Sequence, residues 1–71
     1  MATGTKELSP QETTVVVHIA KGMLYREIAE QLGLSEETVR KYAARARGKL
    51  GLNNKVKLAM WAKDKGLLGE T

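Results

Sequence analysis

Apolar residues recur along this chain at three- and four-residue spacing, in bursts divided by glycine-containing breaks, the pattern of a small helical protein. The first burst is Val15, Val16, Ile19 and Ala20. Ahead of it, Ser9-Pro10-Gln11-Glu12 fits a helix start, with Ser9 as N-cap, Pro10 at the first helical position and Glu12 closing a capping box. The run Thr13 to Val17 is β-branched and would suit a strand in isolation. The cap and the stop at Gly22 decide for a helix running to about Lys21. A short second helix follows, about Leu24 to Leu32, with Ile28, Ala29 and Leu32 inward and Gly33 as its left-handed C-terminal residue. Leu34 then packs in the turn.

The third helix, about residues 35–50, carries the sharpest division of faces. Ser35 caps it, and Glu36 and Glu37 occupy the first turn, where the helix dipole favours acids. Val39, Tyr42, Ala43, Ala46 and Leu50 form its inward stripe. The opposite side holds Glu37, Arg40, Lys41, Ala44 and Arg45, with Arg47 on the flank. Two helices joined by a tight glycine-containing turn, the second with an exposed basic face, make a helix-turn-helix pattern. An ordinary helical hairpin is the plainer alternative; Gly33, Ser35 and the basic face weigh against it.

Gly51 with Asn53-Asn54 breaks the third helix, and either asparagine can cap a fourth, about residues 54–65, which Gly66 ends. Leu58, Ala59 and Ala62 suit the core, but Val56, Met60 and Trp61 spread the apolar arc beyond the single stripe a surface helix needs. Two readings stand: a symmetric dimer seam built on Val56, Met60 and Trp61, or a lid in which Trp61 and Met60 fold over the domain's own core. The expected organisation is a loose tail at residues 1–7, one all-α domain at 8–68 and a tail at 69–71.

Composition narrows the chemistry. Seventy-one residues with no phenylalanine, one tryptophan and two tyrosines give a modest core, which dimerisation would help to stabilise. With no cysteine and a single histidine, His18, neither a disulfide nor a metal site is expected. There is no paired-carboxylate site, no Ser/His/Asp grouping and no phosphate-binding glycine loop, so neither an enzyme nor a cofactor is expected. No apolar run approaches the roughly 20 residues of a membrane span, and no signal peptide is visible; the expected location is cytoplasmic.

Charge then names a partner. Residues 1–36 hold three basic and five acidic side chains (net −2), whereas residues 37–71 hold nine basic and three acidic (net +6). From Thr38 to Lys63 there are eight basic residues and no acid. A solvated surface usually mixes its signs, so a one-signed stretch of this length points to a polyanion, with nucleic acid preferred.

The motifs themselves resemble a known family. Leu8-Ser-Pro-Gln-Glu12, Ile19-Ala-Lys-Gly22, Glu27-Ile-Ala-Glu-Gln-Leu-Gly33, Leu34-Ser-Glu-Glu-Thr-Val-Arg40, Lys49-Leu-Gly-Leu52, Asn54-Lys55 and the closing Gly66-Leu-Leu68 are similar to the LuxR/GerE-type helix-turn-helix domain. The resemblance covers about residues 8–68 in order. It implies a transcription regulator that binds double-stranded DNA as a dimer, lays the third helix in the major groove and associates through the fourth. By position, it puts Arg40, Lys41 and Ala44 at base edges and Thr38, Tyr42, Arg45 and Lys55 near phosphates. Members usually carry a receiver or ligand-binding domain ahead of this one, which these residues do not contain.

There are departures. Leu24 replaces the usual Ser or Thr cap of the second helix. Ala43 and Ala46 are smaller than usual, and Arg47 stands where a large apolar residue is common, so a thinner core or a shifted third helix is expected. The span from Glu27 to Leu50 is also similar to the promoter-reading region of sigma factors, but the stretch from Gly51 to Leu68 matches only the LuxR type.

The expected mechanism divides labour between affinity and specificity. Arg40 can present a bidentate fork to guanine and Lys41 a less directional donor, while Glu37 can accept from cytosine. Arg45, Arg47, Lys49 and Lys55 supply charge toward phosphate. The competing expectation is a small interaction protein that binds another regulator or RNA polymerase, titrating a regulator from DNA through the fourth helix.

Overall fold

The computed structural model describes residues 8–67, and four α-helices account for most of them: α1 (Pro10–Ala20), α2 (Tyr25–Leu32), α3 (Glu36–Leu50) and α4 (Lys55–Asp64). The tails expected at 1–7 and 69–71, and Leu68 of the closing Gly-Leu-Leu, lie outside the described residues. All-α architecture follows the sequence pattern, with at least one end of each helix displaced by a residue.

Local chemistry sets those ends. At α1 the capping box is complete: the Glu12 N–H donates to Ser9 Oγ at 3.2 Å, and the Ser9 N–H donates to Glu12 Oε1 at 3.0 Å. Pro10, lacking an N–H, stands where that donor would have no helical partner. Leu24 is the N-cap of α2 and offers no side-chain acceptor, so only half a box forms, the Leu24 N–H donating to Glu27 Oε1 at 2.8 Å. Ser35 accepts from the Thr38 N–H at 3.1 Å. Of the two candidate caps for α4, Asn54 serves, accepting from the Lys57 N–H at 2.8 Å.

The turn between α2 and α3 depends on Gly33, whose φ of 70° lies in the left-handed region. That conformation lets the Leu34 N–H reach back to the Ala29 carbonyl at 2.9 Å, closing α2 while the chain reverses into Ser35.

The largest fully buried side chains come from every helix: Val15 and Val16 of α1, Ile28 of α2, Val39 of α3 and Leu58 of α4. Burying each stabilises the fold by about 1.5–3 kcal/mol before entropy is counted. Ala43 and Ala46 are also fully buried, so the small residues of α3 meet the core directly. α1 packs on both α3 and α4 while α2 packs mainly on α3, so α1 is the brace against which the helix-turn-helix pair is held.

Candidate nucleic-acid interface

Fifteen residues long, α3 is the longest helix and spans about 22 Å. Of its inward stripe, Val39, Ala43 and Ala46 are wholly buried and Leu50 is half-buried, which fixes the rotation of the helix about its axis. Glu37, Arg40, Lys41 and Ala44, at spacings of three and four, are consequently all exposed on one outward face, with Arg45 exposed beside them. Thr38 and Tyr42 are half-buried at its margins, and so is Arg47. The Thr38 hydroxyl is tied to the cap, accepting from Ser35 Oγ at 2.8 Å. The bases expected at the site are thus brought onto one helix, with Lys55 joining them from the start of α4.

Arg40 is gripped twice. Its Nη2 donates to Glu36 Oε2 at 2.6 Å, one turn back along α3, and its guanidinium carbon lies 5.7 Å from the centre of the Tyr25 ring on α2. The hydrogen bond that Arg40 donates to Glu36 and the negative charge of Glu36 raise the guanidinium pKa further, so Arg40 stays charged throughout the accessible pH range. An acid four residues before an arginine is the favourable order for such a pair. Lys55 Nζ lies over the same Tyr25 ring, 4.5 Å from its centre. Tyr25, Arg40 and Lys55 line one shallow cleft together with Leu24, Arg26 and Glu36.

Lys49 is placed differently from the other bases. Its Nζ donates to Glu12 Oε1 at 2.8 Å, and Glu12 is 3% exposed. Burial pushes the Glu12 carboxyl up, but hydrogen bonds from Lys49 and Ser9 with the charge of Lys49 outweigh it, and the pKa falls below its ordinary value. Lys49 therefore clasps α3 to α1.

Among the residues expected at a dimer seam, Val56 and Met60 are 67% and 62% exposed, whereas Trp61 is half-buried and packs against the core. Trp61 therefore folds over the domain's own core, whereas Met60, expected to do the same in the lid reading, does not.

Sequence reasoning missed Tyr25, which shares no face of α3 and is joined to Arg40 only by the fold. It also missed the Glu36–Arg40 pair, which the spacing of four could have revealed.

A glycine turn followed by a capped helix, whose apolar stripe packs on the core and whose basic face points outward, defines a helix-turn-helix domain. Comparison identifies the kind. The profile described as "Bacterial regulatory proteins, luxR family" matches residues 6–62, and the chain belongs to that family. It is 46% identical over 61 residues to the Fimbriae Z protein of Salmonella typhimurium, covering 86% of this chain and 29% of that protein. It is 42% identical over 65 residues to the probable HTH-type transcriptional regulator GfsR of Streptomyces halstedii, with 90% and 26% covered. To the DNA-binding transcriptional activator DevR/DosR of Mycobacterium tuberculosis it is 33% identical over 55 residues, with 78% and 25% covered. The chain thus spans 25–29% of the length of these curated relatives. No solved structure matches it significantly. No helix among the described residues is long and apolar enough to cross a membrane.

Proposed function

We propose that this domain binds double-stranded DNA as a homodimer and reads its sequence by laying α3 in the major groove. The observation that carries this reading is the outward face of α3: Arg40, Lys41 and Ala44 stand exposed together because Val39, Ala43 and Ala46 are fully buried behind them. A major groove about 12 Å wide admits a single helix presented this way. Arg40 supplies the fork for guanine, Lys41 a second donor, Glu37 an acceptor for cytosine, and Ala44 a small apolar contact. Thr38, Tyr42, Arg45, Arg47 and Lys55 lie around that face, where phosphates pass. Lys49 supports the interface from behind through Glu12 and adds little direct contact. Names given to relatives support DNA as the partner and transcription control as the purpose.

The test is a salt titration of binding to a pool of random duplexes, with sequencing of the retained fraction. An enriched, roughly palindromic site with half-sites about one helical turn apart, bound less tightly as salt rises, is the expected result. Salt-independent binding, or none, would overturn the proposal.

A second reading has its own observation. Val56 and Met60 on α4 are large, apolar and open to solvent, a surface that fits another regulator or RNA polymerase as well as a second copy. An interaction protein of that kind would bind its partner with α3 substituted and would select no sequence from the pool.

A further inference from the structure

Tyr25 brings together residues from three helices. It sits at the start of α2, yet its ring lies beneath the guanidinium of Arg40 from α3 and the ammonium of Lys55 from α4. Both distances, 5.7 Å and 4.5 Å, fall within the reach of a cation over an aromatic face. The two cations have different duties in the reading above: Arg40 faces base edges and Lys55 faces phosphate. Each is a long side chain whose rotamers must be fixed when DNA arrives, at a cost of about two- to tenfold in affinity per side chain. A ring already holding both in the free protein removes part of that cost and fixes their separation.

We propose that Tyr25 is a positioning residue for DNA reading, coupling the base-facing Arg40 to the phosphate-facing Lys55 across the three helices. This rests on the assignment of α3 to the major groove. Glu36 complements it by accepting a hydrogen bond from Arg40 Nη2. Lys55 makes no ion pair with an acid among the described residues, so the ring is its main restraint. Because the ring holds both cations where they act on DNA, its removal weakens binding; contacts that had to break first would make its removal strengthen binding.

The experiment has a DNA-free part and a DNA part. In the free protein, nuclear magnetic resonance should show ring-current shifts at the Arg40 δ and Lys55 ε protons that persist in Tyr25→Phe and vanish in Tyr25→Leu. Their absence from the unaltered chain would overturn the proposal whatever the domain binds. On a duplex recovered from the random pool, Tyr25→Leu should bind about 3- to 10-fold more weakly and Tyr25→Phe within about twofold of the unaltered chain. Melting curves run alongside separate lost folding from lost positioning. In the Arg40→Ala, Lys55→Ala double background the Tyr25→Leu effect should disappear, since the ring acts through those two side chains. A Tyr25→Leu loss that persists there, or tighter binding by Tyr25→Leu, overturns the proposal while leaving the DNA reading intact. Failure of the pool to yield a bound duplex, or silence of both Arg40→Ala and Lys55→Ala, overturns the DNA reading and this proposal's DNA step with it.

Discussion

Lys49, in the last turn of α3, reaches the buried carboxylate of Glu12 in α1 with a 2.8 Å ion pair. Glu12 simultaneously closes the α1 capping box, so one carboxylate both starts the first helix and anchors the end of the third. Removing the cation with Lys49→Met leaves that buried acceptor short of a donor, which costs about 1–3 kcal/mol. The melting temperature should fall by several degrees. Because Lys49 is turned toward α1, its loss should leave the salt slope of DNA binding unchanged at temperatures where the variant is folded. A lowered slope with an unchanged melting temperature would return Lys49 to the phosphate contacts.

The same pair fixes the acid response. In the folded chain the Glu12 pKa lies below its ordinary 4.5, so the unfolded state takes up a proton first as pH falls. The stabilisation is complete above about pH 4.5 and disappears as pH drops through the folded value. Melting temperature measured from pH 7 to pH 3 should therefore fall more for the unaltered chain than for Glu12→Gln, which has no charge to lose. Parallel declines would contradict the assignment.

Thr13 is 6% exposed, and its hydroxyl has no hydrogen-bond partner among the described residues. Thr13→Val keeps the branched shape and deletes a buried polar group. The expected gain is about 1 kcal/mol, read as a higher melting temperature with unaltered DNA binding. A destabilised variant would mean that the hydroxyl is satisfied.

The helices were legible because their signals are local. Ser9-Pro10-Gln11-Glu12 and Ser35 mark starts, and glycines at 22, 33, 51 and 66 mark ends, within a residue or two of where the backbone turns. The outward face of α3 was equally legible, since a period of 3.6 fixes which residues share a side. What could not be read was long-range pairing. Glu12 and Lys49 are 37 residues apart, and no sequence period connects them. Tyr25 was invisible for the same reason: the arrangement of α2, α3 and α4, and not any spacing, brings Arg40 and Lys55 to one ring. The capping role of Glu12 was plain from its position, but its partner across the core was not.

Arg40 and Lys55 should fail in different ways. If α3 docks as proposed, replacing Arg40 by alanine removes a base-facing fork, so the selected duplex should lose about 1–3 kcal/mol of preference over a copy with the contacted guanine changed. In the same docking, Lys55→Ala removes charge facing phosphate. It should weaken selected and random duplexes by the same factor and lower the salt slope by about one unit. The two are separated by competition binding at several salt concentrations. Equal losses of preference in both variants would mean that α3 is docked in a different register.

Met60 tests the dimer without endangering the fold. It is 62% exposed on α4, and neighbouring Val56 is 67% exposed, so neither contributes much to the core that Leu58 and Ala62 bury on the opposite side. Met60→Glu should accordingly melt close to the unaltered chain. If α4 pairs with its symmetry mate, the substitution puts two carboxylates against one apolar seam, where desolvation and like charge both oppose association. Sedimentation should then show a dimer for the unaltered chain at high concentration, or on a palindromic duplex, and a monomer for the variant. The variant should also lose the affinity gained by engaging two half-sites together while keeping that for a single half-site. Trp61, packed on the core, offers no such separation: changing it would disturb folding and association at once. A dimer that survives Met60→Glu would move the seam off this face of α4 and leave Val56 and Met60 to a different partner.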